Sequence, residues 1–326
     1  MMLGIVVTGD LSAAERRVWE AFPVGRHVAF GTGKVEDGDP KDGDRWGPDR
    51  QVRAEVLAAL LCGAVKVEPG QAGEIYLDRA RIMGKLDVPG AMIKHRLRLN
   101  ECYIADGIDL SEATTRTLNL RGCHVGGIRL NDAKIIGIFR LSGAHLDGKD
   151  KPALNAAGLT VTADMFCDEG FQADGEVSLA DAKISVLRDE KKSWPRRLRL
   201  DGLTYGDLTY LPARERLDWL NRSGGYSPQP YEQLAGYYRR LGHDEQARRV
   251  LLAKQRQRRR QRPWGRAGGG GCRTLSPGTG MRPDVPCCYS PVHSSLAGWC
   301  STLTTRSPLA QRRTRPSTPP STPSTC

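Results

Sequence analysis

Residues 77–88 read Leu77-Asp78-Arg79-Ala80-Arg81-Ile82-Met83-Gly84-Lys85-Leu86-Asp87-Val88, and variants of this unit follow one another as far as Leu146. Leu77, Val88, Leu99, Leu110, Leu120, Leu130 and Leu141 recur at steps of ten or eleven residues. Three residues beyond each stands a small one: Ala80, Ala91, Cys102, Ala113, Cys123, Ala133, Ala144. Two further on comes, in most units, a branched aliphatic: Ile82, Ile93, Ile104, Thr115, Val125, Ile135, Leu146. Self-similarity at a fixed period marks a solenoid, in which each unit buries its apolar face only against its neighbours. Apolar spacings of two and three are too short for an amphipathic helix. They fit short strands with alternating inward and outward residues, broken by tight corners. Ala or Cys beside a large aliphatic implies a narrow lumen. Gly84, Gly126, Gly127 and Gly137 are expected at corners that need positive φ.

The pattern resembles the pentapeptide-repeat family, whose five-residue faces build a right-handed quadrilateral β-helix. The motif A-[DN]-L-x-x is degenerate here, and the eleven-residue steps read as an extra residue bulged at a corner. Beyond Leu146 the rungs loosen: Leu154, Ala157 and Leu159; Met165 with Cys167; Val177, Leu179, Ala182 and Ile184; Leu198, Leu200, Leu203 and Tyr205. Gly148 to Pro152 and Arg188 to Arg197 read as loops inserted at corners. The count gives roughly five coils, a rod on the order of 25 Å long.

The flanks are not repetitive. Residues 1–70 are expected to form a helical N-terminal cap. Asp10 or Ser12 starts a helix through Ala13, Val18, Trp19 and Phe22. Residues 31–50, nearly devoid of apolar side chains, read as a mobile loop. Val52, Val56, Leu57, Leu60 and Leu61 recur at helical spacing up to Gly63. These helices would cover the open edge of the first coil. The β-helix is assigned to residues 71–211 and a helical hairpin to 212–262. The hairpin comprises a short stretch from Leu211 to Leu220, a helix from Tyr231 to Gly242, and a second opened by Asp244.

That second helix ends in a basic run: Lys254, Arg256, Arg258, Arg259, Arg260 and Arg262, with no acid among them. These six residues are the candidate binding site, read as a cytoplasmic polybasic segment against an anionic membrane surface. A solvated helix end is the bland alternative. A nucleic-acid arm is disfavoured because no aromatic residues interleave with the charges. Residues 263–326 contain no lysine, no isoleucine and a single acid, Asp284. They are expected to stay disordered, and their bias towards Arg, Pro, Ser, Thr, Gly and Cys fits a GC-rich gene read out of frame. No signal peptide is read at Met1 to Thr8, and the net charge of +12 is partly the tail's. Cys102 and Cys123, one coil apart, are expected to stack as buried thiols in a reducing compartment.

Ser12 to Phe22, Arg53 to Leu61, the repeats, and above all Tyr226 to Leu252 with Tyr237-Tyr238-Arg239-Arg240-Leu241-Gly242-His243-Asp244 resemble a family of actinobacterial proteins often labelled membrane-associated oxidoreductases. In that plan a basic helix leads into membrane spans, which are absent here; the resemblance implies a C-terminally frameshifted member. The residues themselves supply no cofactor site. Gly31-Thr32-Gly33 enters a Pro- and Asp-rich loop and not a helix, Gly268 to Gly271 precede none, and no Cys-x-x-Cys occurs. His95, His124 and His145 are expected on different repeat positions, without metal convergence. Asp168 and Glu169 are expected to decorate a corner. Mimicry of duplex DNA, another role in the pentapeptide-repeat family, needs an acidic rod, whereas acids and bases nearly balance over residues 75–210. The sequence reading is therefore a non-catalytic β-helical scaffold, with the alternative, implied by the resemblance alone, of a membrane-associated oxidoreductase whose site the residues do not reveal. It would carry no cofactor, metal or catalytic residue, lie in the cytoplasm at the inner membrane face, and bind an unidentified protein partner.

Overall fold

Ile75, Leu97, Leu118, Phe139, Met165, Leu187 and Leu208 stand in one line, each in register with the next on a neighbouring parallel strand. This line is one face of the structure, a computed structural model that describes residues 9–31, 38–149 and 151–261. The described residues belong to the unit Met1–Ala267; the second unit, Gly268–Cys326, lies outside them. The fold is a parallel β-solenoid of about six turns. The sequence count fell one short because the insertion after Gly148 and the loop before Arg197 interrupt the spacing. Six coils at about 4.8 Å per strand make a stack on the order of 29 Å long.

Three further lines complete four faces. The second runs through Ile104, Val125, Leu146 and Ala173. The third runs through Leu86, Ile108, Ile128, Leu154, Val177 and Leu198. The fourth runs through Thr115, Ile135, Val161, Ile184 and Tyr205. Strands Thr160–Cys167, Lys183–Asp189 and Thr204–Leu208 continue from the fourth face across the corner into the first, with a register shift between Val161 and Asp164. Arg188 and Asp189, expected in a loop, are strand residues, and only the chain after them departs from the coil.

The repeating Leu-x-x-Ala is the spelling of a corner. Leu110 O accepts the Ala113 N–H at 3.1 Å, and Leu120–Cys123, Leu130–Ala133, Leu141–Ala144, Ala156–Leu159, Leu179–Ala182 and Leu200–Leu203 repeat this closure. The third residue of each turn has positive φ: Glu112, Gly122, Asp132, Gly143, Gly158, Asp181 and Gly202. That is the mark of a type II turn. The turn buries the small residue against its neighbours, which is why Ala and Cys recur there. Ala156, and not Ala157, takes the buried position in its unit. Of the four corner glycines, Gly84 and Gly127 have positive φ. Gly126 and Gly137 do not; a Cβ there would stand 1.8 Å from Ala105 O and 2.4 Å from Arg116 O, so close approach of adjacent coils selects them.

The N-terminal segment is an incomplete coil. Helix α1 (Ala13–Ala21) opens on a capping box in which Ser12 and Glu15 exchange hydrogen bonds. Val28–Ala29 then pairs with the first face and Gln51–Arg53 with the second. Val52 is thus a strand residue, and the helix expected to include it begins later, as α2 (Ala54–Leu61) over the third face. Residues 40–45 and 48–50, read as loop, form two 3-10 helices around a buried Trp46. Proline at each start presets φ, and Asp39 caps the first turn by accepting the Lys41 N–H, which compensates for the missing apolar residues.

The C-terminal end is closed by α3 (Ala213–Asn221), α4 (Pro228–Arg240) and α5 (Asp244–Gln261). Gly242, at φ 76°, reverses the chain between α4 and α5. Tyr231, Leu234, Tyr237 and Tyr238 of α4 and Ala247 and Val250 of α5 join the core. Among the described residues no helix is long and apolar enough to cross a membrane. The tail expected to be disordered and out of frame, Gly268 to Gly271, and Gly33 with its neighbours lie outside the described residues.

Candidate functional site

Helix α5 has two chemically distinct sides. Ala247 and Val250 are buried on one. Lys254 shares that side and binds Glu232 of α4 in a salt bridge. The hairpin thus brings a carboxylate to the first residue of the basic run. At helical spacing on the opposite side stand Arg248, Arg249, Leu252, Arg256, Arg259 and Arg260, all exposed. Arg249 is paired one turn back with Glu245. Arg256, Arg258, Arg259 and Arg260 form no ion pair among the described residues. Leu252 is 51 % exposed among them. The acids Asp244 and Glu245 sit in the first turn and the arginines in the last, the polarity that the helix dipole favours. Arg262 lies outside the described residues. Of the six candidate residues, four therefore form an open basic surface at the end of α5.

On the rod, the second face carries a ladder. Arg81, Tyr103, His124, His145 and Gln172 occupy one outward position on successive coils. The expectation that His124 and His145 fall on different repeat positions is corrected: they are directly opposed, with ring centroids 4.8 Å apart. Their separation of 21 residues is one coil and was the available signal. Tyr103 stacks on His124 at 5.5 Å, and His145 Nε2 meets Asp174 Oδ2 at 2.8 Å. Burial, then the neighbouring His145, then Lys41 push His124 below its ordinary range, against the pull of Asp147 and Asp39. The 3-10 helix Pro40–Arg45 covers this ladder: Gly43 lies against the Tyr103 ring, and Arg81 donates to Asp44 O. His95 is elsewhere, edge-on to Phe22 at 4.9 Å. Among the described residues no group of three or more His, Cys, Asp or Glu is placed to hold a metal ion.

Two networks escaped the sequence reading. On the third face Asp109 accepts from Lys85 at 2.9 Å and from Ser111 at 2.7 Å, with Arg129 at 3.5 Å. Burial raises the Asp109 carboxyl, but these donors outweigh it and hold the group below its ordinary range. At the C-terminal end Arg216 and Asp189, both buried, form a two-pronged ion pair at 2.6 and 2.8 Å, and Trp194 Nε1 adds a third bond at 2.7 Å. This pins α3 to the last coil. Both networks leave their carboxylates fully engaged, which suits architecture and not proton transfer.

Asp168 and Glu169 sit at a corner, with Ser142 and Arg121 as partners. Cys102 and Cys123 stack on adjacent coils as free thiols, the Cys102 N–H meeting Cys123 Sγ at 3.4 Å. Burial, reinforced by Cys102, pushes the Cys123 thiol well up, which makes it a poor nucleophile. Comparison with protein-family models, with curated proteins and with solved structures finds no match to this chain.

Proposed function

We propose that this protein is a non-catalytic β-solenoid scaffold that docks on an anionic membrane surface through the exposed basic end of α5. The observation that carries the reading is the quartet Arg256, Arg258, Arg259 and Arg260, exposed and without ion pairs among the described residues, next to the half-exposed Leu252. Each cation near an anionic leaflet contributes about 1 kcal/mol. Four of them give on the order of a thousandfold preference for such a surface. The resemblance to actinobacterial membrane-associated proteins supports the same setting. The rod then stands as a rigid body whose outward side chains serve a protein partner.

Co-sedimentation of the full chain with phosphatidylcholine vesicles, with and without phosphatidylserine, tests this. Binding is expected only with phosphatidylserine and is expected to fall as salt shortens the screening length. Replacing Arg256, Arg258, Arg259 and Arg260 with Gln together should abolish it. Equal binding to neutral vesicles sinks the electrostatic account, and stronger binding to duplex DNA replaces it with nucleic-acid recognition. An absorbance band of flavin or haem in the purified protein overturns the scaffold reading in favour of an oxidoreductase.

A further inference from the structure

Several ends of the β-stack are plugged by neighbouring groups. On the second face at the N-terminal end, Glu15 Oε1 accepts the Arg53 N–H at 3.0 Å. At the C-terminal end, Gln229, Gln233 and Tyr237 of α4 donate to Leu203 O, Tyr205 O and Leu208 O, each at 2.9 Å. On the third face, the N–H of Gly202 reaches Gln229 Oε1 and that of Leu198 reaches Arg222 O. The C-terminal end of the second face has no such plug among the described residues.

Its last strand, Gln172–Asp174, pairs with His145–Asp147 on one side. The next coil supplies no strand on the other. The connection through Trp194 and Pro195 borders the open space beside this strand without pairing to it: Trp194 turns inward to Asp189, and Pro195 has no N–H to offer. Gln172 N–H donates to Ala144 O, and Asp174 O accepts from Gly148 N–H, both at 2.9 Å. Alternation along a strand then directs the N–H and C=O of Ala173 to the side away from the stack. No described group bonds either of them there. They border an open cavity of about 680 Å³ lined also by Arg196, Arg197 and Arg222. Arg222 is fixed by donating to the carbonyls of Trp194 and Pro195. Arg196 and Arg197 are exposed and form no ion pair among the described residues. The one carboxylate of the lining, Asp174, is engaged by His145.

We propose that this gap receives an extended, acidic peptide segment of a partner protein, which adds as the missing second-face strand of the sixth coil. Backbone bonds to Ala173 supply the strand pairing, and carboxylates on alternate residues meet Arg196 and Arg197. A second copy of this edge would bring the same arginines face to face, and residues 263–326 of this chain hold only Asp284 as an acid. The site is separate from α5, so its test runs without lipid and neither result depends on membrane docking.

The test is fluorescence anisotropy of the full chain with a fluorescein-labelled, end-blocked octapeptide of alternating glutamate and valine. Saturable micromolar binding is expected. Methylating the backbone nitrogens of either the glutamates or the valines should, for one of the two sets, weaken it by at least about tenfold, because one set faces the strand edge. Arg196→Glu with Arg197→Glu should weaken it by a similar factor, with an unchanged melting curve. Absence of saturable binding overturns the inference. So does equal binding of both methylated peptides, which is charge attraction without strand pairing, or of the peptide with lysine in place of glutamate. The methylated peptides probe the parent chain, so the inference is decided even where the arginine variant fails to fold.

Discussion

At the scale of single residues, the corner turns and the lumen impose the strictest demands. Ala113 is fully buried at the close of a type II turn. Ala113→Leu forces three extra carbons into a filled lumen and is expected to cost about 1–3 kcal/mol or more; a denaturant midpoint equal to the parent's would refute the narrow lumen. Gly126 makes a different demand. Its φ is not positive, yet a Cβ would overlap Ala105 O at 1.8 Å. Gly126→Ala should therefore destabilise by about 1–3 kcal/mol through coil separation. Chemical denaturation alongside Gly225→Ala, where a Cβ meets nothing within 4 Å, checks this. Gly126 was legible as a corner glycine, but the reason for it was not, because the clashing carbonyl belongs to the coil before.

Among the elements, the junction of α1 with the strand Gln51–Arg53 rests on one carboxylate. Glu15 caps α1 with Ser12 and accepts from both the N–H and the guanidinium of Arg53. Burial alone would raise its pKa, but those donors and the Arg53 charge outweigh it and lower it to about 2. The folded value lies below the unfolded one, near the ordinary 4.3. The stability it contributes is therefore complete above about pH 5 and is lost as pH falls through the window between the two. Over that window the parent should lose on the order of 2–3 kcal/mol more than Glu15→Gln does. Equilibrium unfolding of both proteins at pH 6 and pH 2.5 measures it, and parallel pH profiles would remove Glu15 as the source. Ser12 and Asp10 were both readable as caps; that Glu15 would also reach Arg53, 38 residues on, depends on how α1 docks.

For the whole molecule, stability is the sum of coil-to-coil contacts plus what closes the ends. Helix α4 closes the fourth and first faces with side chains of Gln229, Gln233 and Tyr237 on the last strand. A chain ended after Tyr210 loses these plugs and bares a parallel edge, the usual template for intermolecular pairing. It is expected to elute as large assemblies by size exclusion with light scattering; a clean monomer would show that the end coil needs no cover.

The sequence by itself determined the solenoid, its turn motif and its buried ladder. In a stack, every inward side chain meets its own counterpart one period away, so the core is written as a repeat. It also marked the basic end of α5, because a run of like charge is a local property. Tertiary structure alone decided which outward residues meet. His124 opposes His145, and Lys85 and Arg129 flank Asp109, only because the corners fix the coil at 20 to 22 residues at those levels. Lys254 is paired, and Arg256 has no ion pair among the described residues, because α4 presents Glu232 to one side of α5. Arg216 meets Asp189, and the sixth coil lacks a second-face strand, because α3 and Trp194 dock where the repeat stops. No period continues past that point, so no pattern in the sequence records the contact.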